Sequence, residues 1–457
     1  MINLKNISHF YFIGIGGIGM SALARYFLQQ GKTVSGYDKT PSSITQSLQA
    51  EGVNIIYKLA TSKIPESFKN KNTTCVIYTP AIASDNAVLK WFKTHDFPVY
   101  KRSEVLGELS KNTTCLAVAG THGKTTTASI LAHLLAASNM KITAFLGGIA
   151  ENYNSNFIYT GDDLMVVEAD EFDRSFLQLH PDIACITSMD ADHLDVYQNV
   201  LEMEKTFREF SKLVPQEDNF LFQKHLPLKG KTVSVQEKAD FQATNIRIEE
   251  GYYVFDLQTP NEIIKELRFA LPGHHNLFNA VTALGMAIIA GSPTCCLPKA
   301  LFEFKGVKRR FSYKIKTKNQ VLIDDYAHHP TEINALYQAV SELYPKQKKC
   351  IVFQPHLFSR TRDFADGFAQ SLAQFKEVLL LDIYPAREKP IKGITSQLLA
   401  NKINALKDKN TEQVKVVSKQ DLKYILKQSK SAVKLMVGAG DIGDEVEKIK
   451  LVLTNEN

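Results

Sequence analysis

Short apolar runs recur along the chain, each followed by a glycine-rich or polar loop and then by a helical stretch. The first such unit has an apolar run at residues 9–13, a glycine-rich loop at 14–19, a helical pattern at 20–30 and a second apolar run at 33–38. This order predicts a βαβ unit. Further strands are expected at residues 74–78 and around residue 99.

The same pattern starts again twice further along the chain. A second segment begins with the apolar run 115–119, the loop 120–125 and a helical stretch at 126–137. Alternating runs between about residues 218 and 269 indicate an inserted antiparallel patch. A third segment begins near residue 313. The remaining strands are expected at residues 164–167, 183–187, 321–323, 350–353, 378–381 and 435–437.

These units predict an α/β protein of three domains. We expect a Rossmann-like N-terminal domain at residues 1–105, a central P-loop ATPase-like α/β domain at 106–312 and a Rossmann-like C-terminal domain at 313–457. A chain of 457 residues is long enough for two to four domains.

Composition and charge exclude several classes of protein. Hydrophobic residues make up 44% and charged residues 22%, which is typical of soluble globular proteins. The net charge of +6 comes without a dense basic face, so nucleic acid is not an expected partner. The six cysteines form no C-x-x-C pair, so a zinc or redox motif is not expected. Scattered thiols in a chain of this length fit a reducing compartment. The sequence contains no apolar stretch of about 20 residues, so no membrane span is expected. The N-terminus does not resemble a signal peptide.

The strongest local signal is the run Gly120-Thr-His-Gly-Lys-Thr125, which lies between a predicted strand and a predicted helix. Backbone N–H groups of such a loop cradle phosphate oxygens, and the N-terminus of the following helix adds a favourable dipole. Lys124 is expected to neutralise the β- and γ-phosphates, and Thr125 to place its hydroxyl on Mg²⁺. The spacing departs from G-x-x-x-x-G-K-[ST] because position 118 is valine.

Acidic residues follow two strands of the same segment. Glu168 directly follows one strand, and the run Asp190-Ala-Asp-His193 follows another. Strand ends in open α/β sheets face the ligand crevice, and Mg²⁺ prefers hard oxygen ligands. We therefore expect metal roles for Glu168 and His193, with a solvated acidic turn as the alternative.

Three polar runs further along the chain carry additional candidate chemistry. Asn276 and Asn279 open a helix on one face, where they either hydrogen-bond a nucleotide or cap the helix. The basic run at 308–310 is either a solvated face or a source of charge for a γ-phosphate. The loops at 324–332 and 354–363 each follow a strand and concentrate acids, imidazoles and arginines, among which Arg360 can form a bidentate pair with a substrate carboxylate.

The N-terminal loop leaves two ligands open. Gly14, Gly16 and Gly19 fit G-x-G-x-x-G, and Asp38 lies about 20 residues further on, which by itself indicates NAD. A UDP-sugar is the alternative, because the glycines show only that a diphosphate can approach the backbone.

In this order the motifs resemble those of the Mur ligase family over nearly the whole chain. The motifs are the glycine-rich loop, Gly-Thr-His-Gly-Lys-Thr-Thr at 120–126, Glu-Ala-Asp-Glu at 168–171, Asp-x-x-His-Leu-Asp at 190–195, Pro-Gly-x-His-Asn-x-x-Asn-Ala at 272–280, Arg-Arg-Phe at 309–311 and Asp-Asp-Tyr-Ala-His-His-Pro at 324–330. The resemblance implies ATP-dependent joining of L-alanine to the lactyl carboxylate of UDP-N-acetylmuramate through an acyl phosphate. It also implies ATP and Mg²⁺, the bacterial cytoplasm, peptidoglycan synthesis, and a monomer or weak homodimer.

The resemblance also implies roles for individual residues. Lys124, His193 and Arg310 are the expected catalytic residues, and Thr125, Glu168 and His193 the metal ligands. The expected ATP contacts are Gly120, Thr121, His122, Gly123, Lys124, Thr125, Thr126, Asn276, Asn279, Arg310 and Asp325. The expected UDP-sugar contacts are Gly14, Gly16, Gly17, Gly19, Met20 and Asp38. L-Alanine is assigned to Tyr326, His356 and Arg360.

Two positions depart from better-known members of the family. The run 171–175 reads Glu-Phe-Asp-Arg-Ser instead of Glu-Ser-Asp-Ala-Ser, and Leu357 replaces an arginine.

Lys205 is the nearest candidate for the carbamoylated lysine that some relatives use. The alternatives are a ligase that joins a tripeptide to UDP-N-acetylmuramate in cell-wall recycling, an NAD-dependent oxidoreductase and a non-catalytic nucleotide-binding regulator.

Overall fold

A computed structural model describes residue 4, residues 6–190, residue 197 and residues 200–386, 388–407 and 412–454. Its described strands form three separate sheets of five, ten and six strands. Helices connect many of the successive parallel strands, as the alternation of apolar runs and helical stretches predicts.

The first sheet holds the N-terminal glycine-rich loop. Its strands are β1 (His9–Ile13), β2 (Thr33–Tyr37), β3 (Asn54–Ile56), β4 (Thr74–Tyr78) and β5 (Val99–Lys101). The helices are α1 (Ile18–Gln29), α2 (Ser43–Ala50), α3 (Ala87–Thr94) and α4 (Arg102–Ser110), with short 3₁₀ turns at Thr61–Lys63 and Glu66–Phe68. All pairs are parallel in the order β3-β2-β1-β4-β5. The order reverses at β1, so the loop after β1 lies at the switch point where such sheets bind ligands.

The second sheet is the largest and carries the phosphate loop. Its strands are β6 (Thr114–Ala119), β7 (Ile142–Ala150), β8 (Ser155–Tyr159), β9 (Leu164–Glu168), β10 (Ile183–Ile186), β11 (Phe220–Gln223), β12 (Lys231–Ser234), β13 (Phe241–Glu249), β14 (Tyr252–Gln258) and β15 (Ile263–Phe269). The helices are α5 (Lys124–Ala137), α6 (Val200–Ser211), α7 (His274–Ile289) and α8 (Leu297–Glu303), with 3₁₀ turns at Phe172–Gln178, Glu217–Asn219 and Thr294–Cys296. The strand order is β15-β14-β13-β12-β11-β10-β6-β9-β7-β8.

The antiparallel patch expected between residues 218 and 269 is wrong for its first half. β11 pairs parallel with β10, β12 with β11, and β13 with β12, so these strands extend the central sheet. β14 lies between β13 and β15 and is joined to them by residues 250–251 and 259–262, which are connections of hairpin length. Alternating polarity showed that one face is solvated but did not determine the strand direction.

The third sheet contains β16 (Ser312–Lys316), β17 (Val321–Asp325), β18 (Lys349–Phe353), β19 (Glu377–Leu380), β20 (Lys415–Val416) and β21 (Val433–Val437). Its helices are α9 (Pro330–Leu343), α10 (Phe358–Asp363), α11 (Ala365–Ala373), α12 (Ser396–Leu406), α13 (Lys419–Gln428) and α14 (Gly443–Thr454). The order is β16-β17-β21-β18-β19-β20, and only the β16–β17 pair is antiparallel. The loops after β17 and β18 carry the polar runs singled out above.

The chain divides into two compact units. Unit 1 contains residues 1–246, 254–268 and 278–305, and unit 2 contains residues 247–253, 269–277 and 306–457. Unit 1 therefore includes the first sheet and most of the second, and unit 2 includes the third. The domain boundaries at residues 105 and 312 stay a prediction.

Within unit 1, a buried amide joins the first sheet's helix α1 to the second sheet. Asn156 on β8 is fully buried and donates to the Ile18 carbonyl at 2.5 Å and to Ser21 Oγ at 3.0 Å. Arg25 donates to Asn156 Oδ1 at 2.5 Å. A buried polar group is stable only when it is hydrogen-bonded, so this network defines where the start of α1 lies. In the described part of the chain, no helix has the length and apolarity needed to cross a membrane.

Candidate active site

The phosphate loop follows β6 and opens α5, as its sequence predicts. Gly120 has a φ of +129° and Gly123 a φ of +84°, values that L side chains rarely adopt. A Cβ on Gly120 would overlap Thr187 Oγ1, and one on Gly123 would overlap Asn279 Oδ1. Both glycines are therefore required by the backbone conformation and by the closeness of their neighbours.

The end of β10 holds this loop in place. The N–H of Thr121 donates to the Ser188 carbonyl at 3.1 Å, and the N–H of His122 donates to Ser188 Oγ at 2.8 Å. Thr187 Oγ1 donates to the His122 carbonyl at 2.5 Å. The His122 ring lies 3.4 Å from an Asp190 carboxylate oxygen. These bonds fix the backbone conformation of the loop.

Replacing Gly120 by alanine is expected to weaken nucleotide binding. The added Cβ must displace Thr187 and the backbone of Ser188, which together hold the loop. The loss should reach at least about tenfold in the dissociation constant of a non-hydrolysable ATP analogue, measured by calorimetry, because a strained φ and a steric overlap act together. Gly251→Ala is the control: Gly251 also has a positive φ, but its Cβ would enter open space. Equal losses in the two variants would contradict the steric argument.

Lys124 begins α5, and its ammonium group is almost enclosed. It donates to the Gly120 carbonyl at 2.7 Å and to Glu171 Oε1 at 2.9 Å, and Glu171 Oε2 lies 2.8 Å away. Burial lowers the pKa of Lys124, but Glu171, Asp170 and Glu168 outweigh it and raise this pKa above its ordinary value. The group is therefore a fixed positive charge at the loop.

Thr125 and Glu168, two of the three residues predicted to bind Mg²⁺, are hydrogen-bonded neighbours. Thr125 Oγ1 donates to Glu168 Oε1 at 2.9 Å, and the N–H of Gly147 donates to Glu168 Oε2 at 2.9 Å. A hydroxyl and a carboxylate at this separation are the hard oxygen donors that Mg²⁺ takes beside phosphates. No group of three or more metal-binding side chains was found among the described residues. His193, the third predicted ligand, lies outside the described residues.

The remaining predicted nucleotide contacts are divided between the units. In unit 1, Thr126 is buried near the start of α5, and Asn279 lies against Gly123 of the phosphate loop. In unit 2, Asn276 is buried and donates to the Pro272 carbonyl at 2.7 Å. The Asn276 amide is the donor in this bond, whereas the side chain of a helix N-cap accepts from a backbone N–H. Asn279 is a neighbour of the phosphate loop.

The N-terminal glycine-rich loop is held by residues at the end of β2 and by its own backbone. Gly14 has a φ of +86°, and its N–H donates to the Tyr37 carbonyl at 2.7 Å. The N–H of Gly16 donates to Asp38 Oδ2 at 2.7 Å, and the N–H of Gly17 donates to the Gly14 carbonyl at 3.2 Å. Asp38 thus binds the loop itself, so a diphosphate there depends on the N–H groups of the first turn of α1.

Gly19 and Met20 lie in that first turn. A Cβ on Gly19 would come within 2.9 Å of Nη1 of Arg102, so glycine lets the guanidinium approach the helix. Arg102 forms an ion pair with Asp170 at 3.8 Å. Arg102 was not among the predicted residues, because its position next to Gly19 depends on the packing of α4 rather than on a local motif.

In unit 2, a strained turn presents Arg310. Its neighbours Arg309 and Phe311 have φ values of +62° and +49°. Arg309 donates to the Gly438 carbonyl at 2.6 Å, and the N–H of Phe311 donates to the Asp325 carboxylate at 2.7 Å. Burial raises the pKa of Asp325 to about 6, although hydrogen bonds from Phe311 and Ala327 oppose the rise. Asp325 therefore holds the turn that carries Arg310.

The three residues assigned to the amino acid are connected through side-chain contacts that include His328. The ring centroids of Tyr326 and His328 are 5.4 Å apart, and those of His328 and His356 are 6.1 Å apart. Arg360 is buried, and its Nη1 lies 3.5 Å from His356 Nδ1. The structure thus brings together a phenol, imidazoles and a guanidinium from the loops after β17 and β18.

The two departures from the family pattern occupy defined places. Leu357 is buried with a φ of +71°, and its N–H donates to the Tyr384 carbonyl at 2.9 Å. Asp173 and Arg174 have φ values of +56° and +53° and form ion pairs with Lys101 and Glu202. Lys205 is exposed on α6.

Models of one protein family match three consecutive parts of the chain. The "Mur ligase family, catalytic domain" matches residues 9–114, the "Mur ligase middle domain" residues 118–287, and the "Mur ligase, glutamate ligase domain" residues 309–442. A UDP-N-acetylmuramate–L-alanine ligase of Christiangramia forsetii is 55% identical over 457 residues, which is 100% of both chains. The chain belongs to the Mur ligase family.

Solved structures agree with the Mur ligase fold. A UDP-N-acetylmuramate–alanine ligase of Thermotoga maritima has a TM-score of 0.84 and 26% identity, covering 98% of this chain and 100% of that one. A murein peptide ligase of Psychrobacter arcticus has a TM-score of 0.69 and 19% identity, covering 98% and 99%, and shows the fold alone. The predicted family and the predicted three-part α/β fold are confirmed.

Sequence reasoning about this Mur ligase missed two residues that contact the site. Glu171 pairs with Lys124, and Arg102 lies against Gly19. Glu171 stands in the Glu-Ala-Asp-Glu run, so an acid this close to a strand end was a usable signal. Arg102 is the first residue of a helix and gave no such signal.

Proposed function

We propose that the chain joins L-alanine to the lactyl carboxylate of UDP-N-acetylmuramate at the expense of ATP. The observation that carries this proposal is the 55% identity, over the full length of both chains, with a protein named UDP-N-acetylmuramate–L-alanine ligase. The reaction is a step of peptidoglycan synthesis in the bacterial cytoplasm. We propose that the chain acts there as a monomer or weak homodimer.

In this proposal the phosphate loop binds ATP. The backbone from Gly120 to Gly123 surrounds the phosphates, and the ammonium group of Lys124 lies at the loop to stabilise their charge. Thr125 and Glu168 would hold Mg²⁺, because their oxygens already lie 2.9 Å apart. Bound Mg²⁺ supplies charge neutralisation at the phosphate oxygens.

The proposed chemistry is carboxylate activation. The lactyl carboxylate attacks the γ-phosphorus, ADP leaves and an acyl phosphate forms. The amine of L-alanine then attacks the acyl carbon, and inorganic phosphate leaves as the amide bond forms. Alignment of the reactants can contribute about 7–11 kcal/mol in favourable cases. Exclusion of water protects the acyl phosphate from hydrolysis.

In the proposed amino-acid pocket, Arg360 binds the carboxylate of L-alanine, and Tyr326 and His356 line the site. A guanidinium presents a planar fork that matches a carboxylate, and the adjacent imidazole restricts its orientation.

Replacing Arg360 by lysine is expected to raise the KM for L-alanine by about tenfold, because the bidentate pair is lost while the positive charge remains. The KM for ATP should stay within about twofold. Initial rates of phosphate release at varied L-alanine, and in a second series at varied ATP, give the two values. Arg362→Lys is the control, because Arg362 is half exposed and pairs with the neighbouring Asp363. If both variants raise the KM for L-alanine equally, Arg360 is not the carboxylate ligand.

The proposal as a whole is tested by phosphate release with ATP, Mg²⁺ and UDP-N-acetylmuramate. L-Alanine is compared with glycine, L-serine, other amino acids and a tripeptide. Release that requires both UDP-N-acetylmuramate and L-alanine is the expected result. Release that requires the tripeptide would assign the recycling reaction instead, and nucleotide binding without turnover would indicate a regulator.

A further inference from the structure

The last residue of β9 and the loop that follows it carry four carboxylates, and each has a different partner. Glu168 accepts from Thr125, Asp170 pairs with Arg102, Glu171 pairs with Lys124, and Asp173 pairs with Lys101. The run is therefore not one metal-binding cluster. Only the first of its acids contacts the hydroxyl of the predicted magnesium site, and the third contacts the phosphate-loop lysine.

Glu171 is the most enclosed of the four. It is 0% exposed, whereas the side chains of Asp170 and Asp173 are 42% and 45% exposed. Both of its carboxylate oxygens lie within 2.9 Å of Lys124 Nζ, and its carbonyl accepts from the Tyr197 hydroxyl at 2.6 Å. A carboxylate is this deeply buried only when it is paired, so Glu171 and Lys124 depend on each other.

The pairing restricts a flexible side chain at the site of reaction. Lysine carries a compact charge on a four-carbon stem that samples many rotamers. Here the stem is fixed at its tip by Glu171 on one side and by the Gly120 carbonyl on the other. The tip therefore lies beside the backbone that binds the phosphates.

We propose that Glu171 is a positioning residue for the reaction, which holds the Lys124 ammonium group where the transferred phosphate gathers charge. The proposed role of Glu171 is exerted through Lys124, which its carboxylate contacts. This inference rests on the nucleotide site of the proposed function, and it adds a residue to which no role was assigned. A displacement of about 1 Å in such a group can reduce turnover about a hundredfold without weakening ground-state binding to the same extent.

Three variants separate positioning from folding. Glu171→Gln keeps the shape but removes the ion pair, and we expect kcat to fall about a hundredfold with the KM for ATP within about threefold. Glu171→Asp keeps the charge and should recover at least about tenfold of that loss. Asp173→Asn is the matched control from the same loop and should stay within about twofold of the parent chain. Parallel losses of kcat and affinity, or no rescue by aspartate, would overturn the positioning role.

A double-variant comparison tests whether Glu171 acts through Lys124. In a chain that carries Lys124→Met, adding Glu171→Gln should cost no further activity, because the group that it positions is already absent. The double variant leaves neither a buried carboxylate nor a buried ammonium group without its partner, so it provides a folded protein where a single variant does not. A further multiplicative loss in the double variant would show an independent role and overturn the inference.

Titration of the parent chain with a non-hydrolysable ATP analogue distinguishes the possible failures. Failure to bind the analogue would overturn both the nucleotide site and the role of Glu171. Binding and ATP turnover that depend on a different amino acid or peptide would overturn the proposed substrate alone. The inference about Glu171 would then stand on the kcat and KM split.

Discussion

Replacement of Lys124 by methionine is expected to reduce ATP-dependent phosphate release by about a thousandfold. The loss follows from removing a preorganised positive charge at the transferred phosphate, where a single donor accounts for about 10²–10³ in turnover. Methionine keeps an unbranched stem of similar length, so the loop should keep its shape. The measurement is the initial rate of phosphate release at saturating substrates.

A control variant and a stability measurement accompany Lys124→Met. Lys299→Met removes a lysine that is 82% exposed and should leave the rate within about twofold of the parent chain. The unfolding temperature of Lys124→Met should fall as well, because the buried Glu171 carboxylate loses its partner. A chain that retains full turnover with methionine at this position would show that the nucleotide binds elsewhere.

Replacement of Glu168 by glutamine is expected to raise the Mg²⁺ concentration needed for half-maximal activity by at least about tenfold. The amide still accepts a hydrogen bond from Thr125 or Gly147 but no longer offers a charged oxygen to the cation. Rates of phosphate release measured across a series of Mg²⁺ concentrations give the midpoint. Saturating Mg²⁺ should recover part of the lost rate.

Asp163→Asn is the matched control for Glu168, because this exposed acid lies just before the opposite end of β9. Its Mg²⁺ midpoint should equal that of the parent chain. An unchanged midpoint in Glu168→Gln would remove Glu168 from the predicted magnesium site and leave Thr125 without its expected partner ligand.

Local motifs were predictable from the sequence where neighbouring residues determine them. The strands at 9–13, 115–119 and 350–353 and the phosphate loop between β6 and α5 are present as predicted. Glycines with positive φ and apolar runs of strand length act over a few residues, so no distant partner is needed.

Partner choice within the acidic loop was not predictable in the same way. The sequence shows four carboxylates within six residues, and nothing in their spacing assigns Glu171 to Lys124 or Asp170 to Arg102. The parallel direction of β11 and β12 was also not predicted, because an alternation of apolar and polar residues fits both parallel and antiparallel pairing. Both features depend on which strands become neighbours.

By itself, the sequence determined the family and the order of the α/β units, and it predicted which residues supply phosphate-binding and carboxylate-binding chemistry. The tertiary structure alone decided which of these residues meet. β6 lies between β10 and β9, so the loop after β6 contacts Ser188 on one side and Glu168 and Glu171 on the other. Lys124 and Glu171 are 47 residues apart in the sequence, so no local propensity determines their contact. The order of the strands determines it, and that order is selected by burial of the whole sheet.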